Sequence, residues 1–181
     1  MKKITVFGGS QPKPGDPAYQ QALQLGKMLG EAGYAALTGG YVGVMEAVSR
    51  GANEAGGHVI GVTCDEIESF RPIAHNPWVL EEWRLPTLRQ RLFTLIEKGD
   101  AVIVLPGGIG TLAELAETWS HLQVGAFPPR PVVVVGPEWQ KVFDMFFVEL
   151  GIYVPEAYRR LLHFAPAVEQ AFAYIHAALE D

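Results

Sequence analysis

Ala101-Val102-Ile103-Val104-Leu105-Pro106-Gly107-Gly108-Ile109-Gly110-Thr111-Leu112-Ala113-Glu114 carries the change of period that sets the fold class. Its first five residues are an unbroken apolar run, as expected of a parallel strand covered on both faces. Beyond the glycines the spacing becomes helical. Leu112, Leu115, Trp119 and Leu122 make one apolar stripe, and Thr111, Glu114, Thr118 and His121 fall on a neighbouring polar stripe. A strand, a glycine turn and a helix start in succession present free N–H groups to an anion, with no Cβ in the way. Gly107, Gly108, Gly110 and Thr111 are therefore candidate phosphate-binding residues, and Glu114 lies one helical turn further in.

The same alternation runs outward in both directions. Toward the amino terminus, Ile4-Thr5-Val6-Phe7 reads as a strand ending at Gly8-Gly9-Ser10. Asp16-Pro17 supplies an N-cap and a first-turn proline for a helix to about Glu31, which Gly33 closes. Tyr34-Ala35-Ala36-Leu37 is a second strand leading to Thr38-Gly39-Gly40. Val44, Ala47, Val48 and Ala52 mark a second helix, closed by Gly56-Gly57, and His58-Val59-Ile60-Gly61-Val62 is a third strand. Residues 65–77 read as a loop able to cover a site, and residues 85–98 as a helix. Toward the carboxyl terminus, Pro131-Val132-Val133-Val134-Val135 is a further strand, followed by a helix over residues 139–150. Pro155 and Pro166 each suit the first turn of another helix.

Strands alternating with helices predict an α/β, Rossmann-like fold: an open, mostly parallel sheet with helices on both faces. The 181 residues fit one nucleotide-binding domain, residues 1–181. Ligands in such a sheet sit at the carboxyl ends of strands. The turns at Gly9 and Ser10, at Gly40, and at residues 107–111 all lie at such ends, so they are expected to converge on one crevice.

Composition narrows the partners. The net charge of −6 comes from interspersed acids and bases with no basic run, which gives no support to a nucleic-acid groove or a polybasic membrane patch. The single cysteine, Cys64, forms no intrachain disulfide and fits a small buried apolar side chain. With no signal-like stretch and no membrane-length apolar run, the expected place is the cytoplasm. The five histidines have no metal-ligand spacing, so no metal is expected.

Two familiar motifs are absent and a third is a chance match. The first turn lacks the third glycine of a dinucleotide fingerprint, and the second strand ends without an acid for a ribose hydroxyl. No lysine follows Gly110, so there is no Walker A loop. Ser10-Gln11-Pro12-Lys13 matches Ser-x-x-Lys only by chance, since two prolines argue against the helix that chemistry needs. Arg91 lies beside the apolar stripe of its helix, three residues after Leu88 and four before Leu95, so its guanidinium is expected to reach a carboxylate or a ligand.

Taken together, these residues resemble the LOG (Lonely guy) phosphoribohydrolases, long described as possible lysine decarboxylases. Residues 106–114 look like the family's Pro-Gly-Gly-x-Gly-Thr-x-x-Glu signature. Val6-Phe7-Gly8-Gly9-Ser10 looks like its opening turn, and Gly39-Gly40-Tyr41-Val42-Gly43-Val44-Met45 like its second glycine motif. Arg91 stands fifteen residues before Pro106, at the position of the family's catalytic arginine. The chain departs from the pattern at Leu92, where the family commonly has lysine, at Thr38, where it has a third glycine, and at Glu46, where it has glycine.

The resemblance implies an N-glycosidase. It would hydrolyse a nucleoside 5′-monophosphate, either AMP-like or a cytokinin riboside monophosphate, to free base and ribose 5-phosphate. Arg91 and Glu114 would be catalytic, with Gly107, Gly108, Gly110, Thr111, Gly9 and Ser10 on the phosphate and with Glu117 and Gly40 one layer behind. A homodimer or higher homo-oligomer is implied and no cofactor is. Lysine decarboxylation is not implied, because it ordinarily requires a pyridoxal phosphate Schiff-base lysine and no lysine lies at the central turn. The alternative is a non-catalytic carrier of a phosphorylated ligand such as molybdenum cofactor, which similar folds bind.

Overall fold

A computed structural model describes residues 1–180. Seven strands form one sheet in the order β4-β3-β2-β1-β5-β6-β7. They are β1 (Lys3–Phe7), β2 (Ala35–Thr38), β3 (Val59–Cys64), β4 (Glu81–Leu85), β5 (Ala101–Val104), β6 (Val132–Val135) and β7 (His163–Ala165). All six neighbouring pairs are parallel. β1 and β5 are adjacent but connect outward in opposite directions, which opens a crevice between them at their carboxyl ends.

The continuous apolar strands explain the layers. Successive side chains of a strand point to opposite faces. Ala101 and Ile103 of β5 enter one core with α1 (Pro17–Glu31), α2 (Val44–Glu54) and α8 (Val168–Glu180). Val102 and Val104 enter the other with α4 (Leu88–Lys98), α5 (Ile109–Gln123) and α6 (Pro137–Leu150). Val132 and Val134 of β6 likewise take the second face, and Val133 and Val135 the first.

Three local expectations are corrected and one strand is added. Residues 65–77 are not wholly a loop, because α3 (Asp65–Phe70) occupies their start, with Asp65, Glu66 and Glu68 in its first turn and no buried residue. The helix expected from residue 85 begins at Leu88, capped by the Thr87 hydroxyl, which accepts from Gln90 N at 3.2 Å; the residues before it form β4. β7 fills the other edge, between a four-residue α7 (Glu156–Arg159) and α8. Finally, Asp16 precedes α1 but does not cap it: its carboxylate accepts from Lys13 N at 2.8 Å and closes the preceding turn instead.

Candidate active site

The β1, β2 and β5 turns meet as expected. Gly9 N donates to Pro106 O at 3.0 Å, and Val44 N donates to Gly9 O at 2.9 Å, so the β1 turn is held between the other two. A cavity of about 400 Å³ opens there. Its wall includes Gly9, Ser10, Gly108, Gly110, Thr111, Arg91 and Glu114, which brings most of the expected site residues together.

The β5 turn is shaped for an anion. Gly108 stands at the N-cap of α5 and no side chain caps the helix, so its first N–H groups face the cavity unclaimed by a protein oxygen. Gly107 does not line the cavity, but its missing Cβ makes the turn possible: a methyl there would collide with the Thr111 hydroxyl and come within 2.8 Å of Gly9 N. Gly43 has φ +73°, and a Cβ on it would lie 2.6 Å from Gly9 O and from Ser10 Cα. Only glycine fits both the backbone and the space.

Glu114 comes from the second turn of α5 and is half-buried. Burial pushes its carboxyl up to about 7, with the charge of Arg91 pulling against the rise. Arg91 comes from α4 and is only 6% exposed. Its protein partners are backbone groups. Nε donates to Val62 O at 2.7 Å and Nη2 to Gly39 O at 3.1 Å, with Met45 Sδ 3.8 Å from Nη2 and the Tyr41 ring 5.6 Å from the guanidinium carbon. Among the described residues it forms no ion pair: backbone carbonyls hold it in the cavity wall in place of a carboxylate, one of the two kinds of partner expected.

Two expected residues stand back from the cavity. Glu117 pairs with His121 at 3.5 Å and does not line the site. Gly40, at φ +78°, holds the β2 turn by donating to the Thr38 hydroxyl at 3.2 Å.

The roles of Asn76 and Tyr41 went unread in the sequence. Asn76 is buried, and its Nδ2 lies within hydrogen-bond distance of Gly40 O (3.0 Å), Tyr41 O (2.9 Å) and Ser49 Oγ (3.4 Å), which fastens residues 71–77 over the β2 turn. Its only sequence signal was the Asn76-Pro77 pair, which marks a turn without naming a partner. Tyr41 ties that turn to β3, accepting from Cys64 N at 2.9 Å. Burial pushes the Tyr41 phenol above its ordinary range, so it stays protonated. Ile67, Arg71 and Ile73 complete the outer wall, so residues 65–77 do cover the site.

The family model described as "Possible lysine decarboxylase" matches residues 45–175. The chain belongs to this LOG family. Among LOG relatives, a "Probable cytokinin riboside 5′-monophosphate phosphoribohydrolase" of Oryza sativa subsp. japonica is 38% identical over 173 residues, 92% of this chain and 68% of the relative. A cytokinin riboside 5′-monophosphate phosphoribohydrolase of Rhodococcoides fascians is 36% identical over 124 residues, 67% of this chain and 62% of the relative. Among solved structures, the molybdenum cofactor binding protein of Rippkaea orientalis superposes with a TM-score of 0.77 at 25% identity, covering 98% of this chain and 97% of that one.

The departures from the LOG pattern each have a local reason. Leu92 packs against the core beneath α4. Thr38 is fully buried, its hydroxyl 3.3 Å from Ser49 Oγ and accepting from Gly40 N. Glu46 accepts from the Tyr19 hydroxyl at 2.8 Å. None of the three intrudes between Arg91, Glu114 and the β5 turn. Among the described residues no cluster of His, Cys, Asp and Glu could hold a metal ion, and no helix is long and apolar enough to cross a membrane.

Proposed function

We propose that this protein hydrolyses the N-glycosidic bond of a nucleoside 5′-monophosphate, releasing free base and ribose 5-phosphate. One observation carries the reading: a half-buried carboxyl on Glu114, raised to about 7, shares a cavity with the buried Arg91 and with an uncapped helix start. The named activity of the LOG relatives supports the same assignment.

The chemistry follows from the groups. The 5′-phosphate anchors on the N–H groups at the start of α5 and on the Thr111 hydroxyl, with Gly9 and Ser10 beside them. This remote binding energy positions the sugar one helical turn further in, beside Glu114. As the bond to the base breaks, positive charge grows on the sugar. The Glu114 carboxylate stabilises that charge and orients the attacking water. Arg91, held rigidly by two carbonyls, faces the departing base and its developing negative charge. No cofactor enters this scheme.

The likeness to a molybdenum cofactor binding protein supports a second reading, a carrier that holds a phosphorylated ligand without cleaving it. The two readings separate on one assay. AMP, adenosine and N6-substituted adenosine 5′-monophosphates are incubated with the protein and free base is followed by chromatography. Release from the monophosphates but not from adenosine is the expected result. Binding of the monophosphates without release would favour the carrier.

A further inference from the structure

A second cavity, of about 290 Å³, adjoins the first. The two share Ser10, Gln11, Val42 and Arg71. Neither Glu114 nor Arg91 nor any residue of the β5 turn lines the second cavity, whose remaining wall comes from the segment after β1, from α1 and from the start of α2. The way into it passes Ser10, beside the phosphate turn, and Gly43 is packed behind Ser10 there, a Cβ on it standing 2.6 Å from Ser10 Cα. With the 5′-phosphate on α5 and the sugar beside Glu114, this cavity continues the cleft past the phosphate, on the side away from the reacting bond. What reaches it is a group carried on the phosphate itself, not the base.

The wall holds two kinds of uncommitted polar group. Lys13 and Arg71 form no ion pair among the described residues, and their side chains make no hydrogen bond there, so two positive charges border the cavity. A second phosphate next to the first would meet both. Toward α1 and α2, Glu46 Oε1 accepts from the Tyr19 hydroxyl at 2.8 Å, while Oε2 has no hydrogen-bond partner among the described residues. Arg50, one turn further along α2, is committed to Glu54 at 2.8 Å. A free carboxylate oxygen repels a phosphate and accepts from a hydroxyl. The wall therefore suits a ligand of two parts, an anion at Lys13 and Arg71 and a hydroxyl at Glu46. A phosphate esterified to a sugar has both, whereas a bare diphosphate lacks the hydroxyl and sets its terminal charge against Glu46. The LOG pattern has glycine in place of Glu46, which makes this acceptor a property of this chain.

We propose that the second cavity is a subsite for a sugar joined through a second phosphate to the 5′-phosphate of the nucleotide, with Lys13 and Arg71 on the second phosphate and Glu46 on a sugar hydroxyl. The assignment rests on the nucleotide reading of the first cavity. The reacting bond is the same: water adds at the anomeric carbon beside Glu114, the base leaves with a proton from that water, and the diphosphate linkage passes intact into the sugar product. The substrate class then includes nucleoside diphosphate sugars as well as nucleoside monophosphates.

AMP, ADP and ADP-ribose test this, because they share adenosine 5′-phosphate and add the second phosphate and the sugar one at a time. The expected kcat/KM for adenine release is on the order of tenfold higher for ADP-ribose than for AMP, the worth of charge-assisted hydrogen bonds at Lys13 and Glu46. Lys13→Ala, at an exposed position, should lower the ADP-ribose value severalfold. Glu46→Ala keeps a good helix former in α2 and should bring ADP-ribose to within about twofold of ADP, whereas Glu46→Gln, which still offers a carbonyl acceptor, should keep part of the difference. AMP turnover should stay within about twofold in both alanine variants, which shows them folded. An ADP-ribose value no better than that of ADP in the unaltered protein, or an advantage that survives Glu46→Ala, would overturn the proposal. If none of the three releases adenine, the hydrolytic reading fails by itself and calorimetric Kd values for the same nucleotides decide the subsite. Tighter binding of ADP-ribose that is lost in Glu46→Ala supports it; equal affinities, or tightness that Glu46→Ala retains, reject it.

Discussion

Arg91 and Glu114 face one cavity from two different helices and do not pair with each other. The guanidinium is fixed by Val62 O at 2.7 Å and Gly39 O at 3.1 Å, that is, by the backbones of β3 and of the β2 turn. The carboxyl is left with a long-range charge instead of a direct partner, and burial dominates its proton affinity. An ion pair between them would hold Glu114 ionised but would also neutralise the field that the proposed mechanism directs at the sugar. Keeping them apart leaves each group free for a different part of the substrate.

Substitution of Arg91 should therefore separate stability from activity. Arg91→Ala leaves two carbonyls without their charged donor and is expected to cost about 2–4 kcal/mol in urea unfolding, together with a loss of at least about 100-fold in kcat/KM. Arg91→Lys cannot span both carbonyls with one ammonium. It should recover part of the stability and little of the activity.

In the proposed mechanism the active form of Glu114 is the carboxylate, because it is to stabilise positive charge. With the carboxyl at about 7 in the free protein, kcat/KM for base release should fall as the pH drops through that value. A profile that stays flat down to pH 5 would remove Glu114 from this role.

The same carboxyl links stability to pH. Its value in the folded chain lies above the ordinary 4.5, so between 4.5 and about 7 the folded chain holds a proton that the unfolded chain has lost. Stability is then full below that window and declines as pH rises through it. Glu114→Gln removes the ionisable group. It should be more stable than the unaltered protein by roughly 2–3 kcal/mol at pH 8, with the gap closing toward pH 5. Parallel urea titrations at the two pH values measure this directly.

Gly43 offers a steric test of the crevice. Its φ of +73° and the 2.6 Å approach to Gly9 O and Ser10 Cα leave no room for a side chain. Gly43→Ala should cost about 2–4 kcal/mol, and in whatever folded protein remains it should raise KM for the monophosphate by displacing the β1 turn. Unchanged stability and KM would show that the turn tolerates movement.

Much of this fold was legible because its strands are unbroken apolar runs and its helices have clear stripes. β5 and β6 announce a sheet buried on both faces, and the glycines after β5 announce the anion turn. β4 and β7 were not legible. β4 reads Glu81-Glu82-Trp83-Arg84-Leu85, an exposed edge whose charges break the apolar signal, and β7 has only three residues. α3 buries nothing, so it has no stripe to detect. In the site, Glu114 and Arg91 were legible from spacing and from their place beside apolar residues. The partners of Arg91 were not, because every residue carries a carbonyl and only the folded chain decides which ones converge. Glu117 stands behind the cavity, as its spacing implied, and its carboxylate lies 3.5 Å from His121.

The central claim is that Glu114 turns a phosphate-binding crevice into a hydrolytic one. The most direct measurement is a single-turnover incubation of excess protein with AMP or N6-isopentenyl-AMP, quantifying free base and ribose 5-phosphate for the unaltered protein and for Glu114→Gln, with nucleotide binding measured on both. The account predicts equimolar base and ribose 5-phosphate from the unaltered protein, and retained binding with at least about 100-fold slower release from Glu114→Gln. Undiminished release by Glu114→Gln, or tight binding by the unaltered protein with no release at all, would contradict it.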